Sequence, residues 1–457
     1  MSARMEEARA VDLPARVGPR AVLSLAWPLM VSRLSDTLMM AVDTIFTSHL
    51  GTTALAGVGV AISATMLVGS FGQGVLGGVR VCASHAVGAG DVRAATRLAW
   101  QGLWLGLVMG LMTWMSFPVA TSFFHAMTGD EGVASSAMPF FFTRTLGIPL
   151  FYGLFVLSGY FAATGDTRTP MVGTLAANLI NLALNPLFVF GWGPVPSLGT
   201  AGPALATVIA NGLNLSWLAW RFYRRAPRVE RGLARPLLRE IWRRGLPMGM
   251  DGLQEVAGFA LFISFMASAG AAHVAAHVVV IRVVLFSFLP CLAIAEAGGV
   301  LVGQSLGAGR PEAARQAWGT SAKLAMTLMG LSGVLFVSVP GLLLGVFNPD
   351  PATLDLGRRM LWIAAAFQLF DALAVTGFFA LNGAGDSRYT MVVNLLCGWG
   401  LKVPLAWLFA SHLELGAPGA WLGLTAEIVV AAGLYLWRAR GGRWLEAGVA
   451  REVLAPA

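Results

Sequence analysis

Seven carboxylates lie inside apolar stretches of the chain: Asp36, Asp43, Asp251, Glu255, Glu296, Asp371 and Glu427. An ionisable side chain within a membrane span costs about 2.5–3.5 kcal/mol on insertion scales, so each is a functional candidate by default. The chemistry open to such groups is proton exchange or cation binding, because neighbouring carboxylates repel and can share either H+ or Na+. Asp36 and Glu255 stand 219 residues apart, and each follows a proline, Pro28 or Pro247, by about two helical turns. Asp36 could face a central cleft as an ion site, or pair with Arg33 on its own helix. Asp371 has no basic neighbour in sequence, and opposite Glu255 it would complete a like-charged pair inviting a shared cation. Asn178, Asn181 and Asn185, at i, i+3 and i+7, put three amides on one helical face, to ligate a cation through carbonyl oxygens or to bond neighbouring helices. Asp43, Asp251 and Glu296 are weaker candidates, near enough to span ends to be wetted. Arg33, Arg144, Arg282 and Lys402 are the basic residues at comparable depth. His273 and His277 have metal-ligand spacing but no third ligand in sequence, which points to a helix interface.

The elements that position these groups follow from composition. Of 457 residues, 56% are hydrophobic and 12% charged, about half the charged share of a soluble domain. Apolar segments long enough to span a bilayer are centred near residues 35, 67, 106, 149, 181, 211, 257, 289, 331, 371, 401 and 428. The expected fold is an all-α membrane protein with twelve transmembrane helices. The nine arginines between Arg221 and Arg244, with only Glu230 and Glu240 among them, read as a loop facing lipid headgroups and not as a nucleic-acid surface. Arg93, Arg97, Arg168, Arg310, Arg315 and Arg388 fall after even-numbered spans, so both termini are expected in the cytoplasm. Residues 1–20 lack the pattern of a cleaved signal peptide. Cys82, Cys291 and Cys397 are isolated in apolar surroundings, as packing residues are.

The chain also repeats itself. At a shift of 219, Pro28, Leu34, Ala41, Phe46, Gly51, Ala56 and Val60 meet Pro247, Leu253, Ala260, Phe265, Gly270, Ala275 and Val279, and Gly88-Ala89-Gly90 meets Gly307-Ala308-Gly309. At 220, Gly165-Asp166-x-Arg168-x-x-Met171-Val172 meets Gly385-Asp386-x-Arg388-x-x-Met391-Val392. Two blocks at nearly one offset indicate duplication. Six is even, so both halves enter from the same side, as two six-helix bundles related by a pseudo-two-fold axis along the membrane normal, with a cleft between them. The resulting division is a cytoplasmic tail at 1–20, a first bundle at 21–222, a basic linker at 223–244, a second bundle at 245–438 and a cytoplasmic tail at 439–457. Gly-Asp-x-Arg is read structurally in both halves, as a turn glycine, a capping aspartate and an interfacial arginine.

Leu25-Ala26-Trp27-Pro28, Val42-Asp43-Thr44, Gly165-Asp166-Thr167-Arg168, Ala204-Leu205-Ala206-Thr207, Val302-Gly303-Gln304-Ser305-Leu306-Gly307-Ala308 and Gly383-Ala384-Gly385-Asp386 together resemble the multidrug and toxic compound extrusion (MATE) transporters, NorM-like branch. The resemblance runs from about residue 21 to 440. It implies paired six-helix lobes that export organic cations in exchange for Na+ or H+. It also implies that Glu255 and Asp371 match acids of the second lobe, with Na+ possible there. Asp36 would match the first-lobe acid, with Asn181, Asn185 and Thr207 as its partners. Where some relatives carry a second aspartate this chain has Asn185, which leaves that site one formal charge. His85 stands where the second half has Gln304, and Lys402 where relatives often have arginine.

The leading expectation is secondary antiport of amphipathic, mostly cationic drugs or toxins by a monomer of the inner (cytoplasmic) membrane, with no cofactor and no nucleic-acid partner. Fifteen Trp, 26 Phe and 19 Met would suit such cargo through cation–π contact and adaptable packing. A lipid-linked glycan flippase of similar fold is the alternative, but it calls for a strongly cationic cavity. A membrane-embedded enzyme is a third reading, and no HxxxxD-type motif supports it. The chain also lacks the GxxxxGK[ST] loop of ATP-driven transport.

Overall fold

The computed structural model describes residues 16–191 and 193–448, so most of the tails expected at 1–20 and 439–457 lies outside the described residues. Twelve helical spans follow one another: α1 (Pro19–Ser48), α2 (Thr52–Gly88), α3 (Val92–Thr128), α4 (Glu131–Leu146 continued by Ile148–Ala163), α5 (Arg168–Phe190), α6 (Ala201–Arg225), α7 (Arg235–Ser268), α8 (Ala271–Gly307), α9 (Pro311–Ser338), α10 (Pro351–Ala384), α11 (Ser387–His412) and α12 (Gly416–Arg440). Every apolar centre read from the sequence falls within one of them. Nine are long and apolar enough to cross a bilayer alone, and α4 joins them as a span bent by 46°. The remaining two, α1 and α6, are more polar because α1 carries Arg33, Asp36 and Asp43, and α6 carries Thr207, Asn211 and Asn214.

Odd-numbered spans start, and even-numbered spans end, on the face that holds the N-terminus of α1. There the Gly-Asp-x-Arg blocks turn the chain. Gly165 and Gly385 adopt φ of +85° and +94°, a left-handed conformation that an added Cβ would strain. Asp166 accepts from the Thr169 N–H at 3.0 Å and pairs with Arg225 at 2.8 Å, at the end of α6. Asp386 holds the equivalent Arg438 of α12 at 2.8 Å but makes no side-chain cap. The motif therefore ties the fifth span of each half to the sixth, and the capping expected of both aspartates is made by Asp166 alone.

The two halves meet along α2, α7 and α8. Gly74 and Gly78 of α2 lie against the backbone of α7 at Met248–Gly249 and Ile241–Gly245, with Gly245 set on the Val75 carbonyl. Small residues four apart permit this close approach. Nearer the N-terminal face the seam is two-fold symmetric. His85 Nε2 donates to the Gly383 carbonyl at 2.9 Å, and Gln304 Nε2 donates to the Ala163 carbonyl at 2.8 Å. In the repeat, His85 corresponds to Gln304 and Ala163 to Gly383, so each bond is the image of the other. Gly88 likewise abuts the Gln304 carbonyl while Gly307 abuts the His85 carbonyl. The pseudo-two-fold axis passes between these helix ends, and the halves are sealed there. Gly307→Val would drive a side chain into the His85 backbone. It should destabilise the sealed state by about 1–3 kcal/mol, seen as a lower melting temperature of the purified protein and faster labelling of a cysteine placed at Ser84.

Candidate functional site

Each half gathers its buried polar groups between its first, fifth and sixth spans. In the first half α1 and α5 run parallel, and residues seven apart on one helix meet residues seven apart on the other. Asn178 donates to Asp36 at 3.2 Å and to Ser35 Oγ at 2.7 Å, while Asn185 donates to Asp43 Oδ1 at 2.7 Å. The groups expected around Asp36 belong instead to Asp43. Asn185 also donates to the Asn181 side-chain oxygen at 2.9 Å, Asn181 to the Thr207 hydroxyl at 3.1 Å, and Thr207 to Asp43 Oδ2 at 3.2 Å. Four side chains from α1, α5 and α6 thus close a ring. With the Asn181 amide turned over, its nitrogen donates to Asp43 Oδ1 at 3.2 Å and its oxygen accepts from the Thr207 hydroxyl at 3.1 Å, which relieves an oxygen facing the carboxylate and keeps Asn181 in the ring. Asn181, Asn185 and Thr207 are buried, and the Asn185 carbonyl oxygen has no hydrogen-bond partner among the described residues. Arg144 of α4 lies within electrostatic range of both Asp43 and Asp36. Asp36 itself is more exposed and has one amide partner.

The second half builds its cluster on a cation. Lys402 ends a π-helical turn, Gly398–Lys402, inside α11, a local widening often found at functional sites. Its side chain is 1% exposed. The ammonium group lies 3.3 Å from Glu255 of α7, 3.2 Å from Glu427 of α12 and 4.6 Å from the centre of the Phe259 ring. Glu255 is 52% exposed, so it is both an ion-pair partner and an open carboxylate. Asp371 is buried on α10 and lies within electrostatic range of Glu427. The Glu255 and Asp371 pair expected from the sequence is therefore mediated, since Glu427 is the common neighbour and Lys402 supplies its counter-charge. Glu427 joins the candidates here through its contact with Lys402; in the sequence only its depth within an apolar span marked it.

The remaining candidates make other contacts. Glu296 of α8 is the anion of a triad with Arg33 of α1 and Arg80 of α2, bridging the two halves. Arg33 is thus engaged across the interface and not with Asp36. Asp251 is buried and accepts from Gln254 at 2.9 Å, a bond within α7. His273 accepts from the Ala417 N–H at 3.0 Å and His277 from the Trp421 indole at 3.2 Å, so both fasten α8 to α12. Among the described residues no three His, Cys, Asp or Glu side chains converge as a metal site would require. The three cysteines are buried free thiols.

These arrangements belong to a recognisable class. The MatE family profile matches the chain twice, over residues 28–187 and 247–408, two starts separated by the repeat offset. A probable multidrug resistance protein NorM of Pseudomonas putida is 32% identical, over 90% of this chain and 92% of its own length. One from Deinococcus radiodurans is 33% identical, over 93% and 96%. Among solved structures, the outward-facing conformation of a multidrug resistance MATE family transporter superposes with a TM-score of 0.87 at 23% identity, covering 96% of this chain and 99% of that one. A MATE in a bent conformation gives 0.86 at 22%, covering 98% and 99%.

Proposed function

The chain belongs to the MatE family, and from that membership we propose that it is a secondary antiporter. It exports amphipathic, mostly cationic drugs or toxins in exchange for Na+ or H+ by alternating access, without enzymatic chemistry or a cofactor. The observation that carries this reading is a carboxylate site among the first, fifth and sixth spans of each half, Asp43 in one and Glu255 with Glu427, beside Asp371, in the other. Carboxylates at this depth are held against an insertion cost of about 2.5–3.5 kcal/mol each, which a purely structural scaffold would not sustain in duplicate.

In this reading the coupling ion is taken up at Asp43 with Asn181, Asn185 and Thr207, and at Glu255 with Asp371. The spare Asn185 carbonyl offers a further oxygen to a cation or a protonated group. Asp36, on the same face of α1, borders the first of these sites. The arginine-rich loops all lie at the N-terminal face, so that face is cytoplasmic and both termini are inside the inner membrane. The seam is closed on that side, as an outward-facing arrangement requires. Occupation of a carboxylate cancels charge beside the cleft, and release restores it, giving the two lobe arrangements different affinities for the ion and for cargo. Each chain holds a complete pair of sites, consistent with a working monomer.

Export is tested in proteoliposomes loaded with DNA to report ethidium entry, under an imposed Na+ gradient or an imposed pH gradient. Transport should follow one of the two. Ethidium movement that ignores both would overturn antiport and favour the flippase reading, although the carboxylate-dominated clusters are the opposite of the cationic cavity a flippase of anionic glycolipids needs.

A further inference from the structure

We propose that the junction between α6 and the linker to α7 is a binding site for the phosphate group of an anionic phospholipid. A cavity of about 270 Å³ opens there, lined by Trp100, Phe222, Tyr223, Arg224, Arg228 and Arg231. Its shape is fixed by the linker backbone, which is hydrogen-bonded to α3. Gln101 donates to the Gly232 carbonyl at 2.8 Å and accepts from the Ala234 N–H at 2.9 Å, and the Trp104 indole donates to the Arg231 carbonyl at 3.1 Å.

The charge at this cavity is left uncompensated. Arg225 nearby is paired with Asp166, and Arg244 with Glu240. Arg224, Arg228 and Arg231 make no ion pair among the described residues and are exposed. Two of the three are held by aromatic rings and not by carboxylates. Arg231 lies over Trp100 at 5.0 Å and Tyr223 at 5.4 Å, and Arg224 over Trp220 at 5.2 Å. Stacking orients a guanidinium while leaving its N–H donors free for a phosphate, which it can bind through two parallel bonds. The same rings identify the source of the phosphate. Trp104, Trp220 and Tyr223 are exposed where helices meet lipid headgroups, the level at which tryptophan and tyrosine form interfacial belts. A soluble anion would use the arginines but gain nothing from this apolar rim. A phospholipid would put its phosphate among the guanidinium groups and its glycerol and upper chain along the rings. Because the linker joins the two halves, such a lipid would rest on the segment that must flex when they move.

The test uses the purified full-length chain in neutral detergent, titrated with phosphatidylglycerol, phosphatidylcholine or inorganic phosphate, with melting temperature and native mass spectrometry as readouts. Phosphatidylglycerol should bind and raise the melting temperature, and the other two should not. Arg224→Gln/Arg228→Gln/Arg231→Gln should weaken that binding roughly 100-fold, from the loss of three headgroup contacts. Arg93→Gln/Arg239→Gln/Arg315→Gln removes equal charge from the same face and should leave it intact. Arg228→Glu alone, at an exposed position with both stacked arginines kept, guards against misfolding of the triple variant and should also weaken binding. Equal losses in the control, undiminished binding in the cavity variants, or equal protection by inorganic phosphate would each overturn the proposal.

Discussion

Asp43→Asn should bring gradient-driven export down to the level of empty liposomes, while Asp36→Asn leaves a measurable fraction. Asp43 is the only charged member of a ring whose other members are two asparagines and a threonine. Both of its carboxylate oxygens are engaged, by Asn185 at 2.7 Å and Thr207 at 3.2 Å. The amide that replaces it can neither exchange a proton nor balance the charge of a cation. Its oxygen can still accept from Asn185 and its nitrogen can donate to the Thr207 hydroxyl, so the substitution removes the charge while leaving the ring largely bonded. Asp36 has one amide partner at 3.2 Å and is exposed, so water can replace what the substitution removes. Initial rates of ethidium transport, normalised to reconstituted protein, separate the two variants. Normal export by Asp43→Asn together with loss in Asp36→Asn would return the coupling site to Asp36.

The sequence singled out Asp36 because it matches Glu255 in the repeat. That argument had limited resolving power. Asp36 and Asp43 are seven residues apart, close to two full turns, so they lie on the same face of α1 and no periodicity argument separates them. The signal that could have done so was the equal spacing of Asn178 and Asn185. The parallel course of α1 and α5, which follows from span parity, sets those two residues opposite Asp36 and Asp43 in register. Asn181 and Thr207 then fall beside Asp43.

The fold was more legible than the site, for a physical reason. A span announces itself through some twenty consecutive apolar residues, and a duplication through matches scattered over whole helices, so local exceptions average out. Even so, α1 and α6 are the least apolar spans because they hold part of the site. Site geometry depends on single side chains crossing between helices that sequence leaves unordered. Glu296 has the depth and charge of a coupling residue, yet two arginines from the other half enclose it. Lys402 and Glu427 were visible as intramembrane charges, but nothing in their local sequence shows that they meet Glu255.

That meeting gives the second prediction. Lys402→Met should abolish coupled export and leave a protein whose melting temperature rises with added Na+ or with falling pH, more steeply than that of the unmodified chain. The ammonium group touches Glu255 and Glu427 at 3.3 and 3.2 Å from a side chain that is 1% exposed, so it is a built-in counter-ion for two acids, the second of which neighbours Asp371. Without Lys402 the buried Glu427 loses its counter-charge, a kind of change that typically costs about 3–5 kcal/mol, while the half-exposed Glu255 turns to water. Repulsion among Glu255, Glu427 and Asp371 is then relieved only by protons or by a cation from solution, which gives the sign of both dependences. Methionine keeps the length of the aliphatic stem and the contact with Phe259, so the change is mainly one of charge. Lys402→Arg retains the charge and should keep a substantial part of export, since a guanidinium can bridge both glutamates and stack on the same ring. Thermal melts at 0 and 300 mM Na+ and at two pH values, run beside the transport assay, check the whole pattern (salt chosen at about the level that screens exposed pairs). If Lys402→Met exports normally and melts at one temperature in every condition, Lys402 is a packing residue, and the coupling assigned to Glu255 and Asp371 does not pass through it.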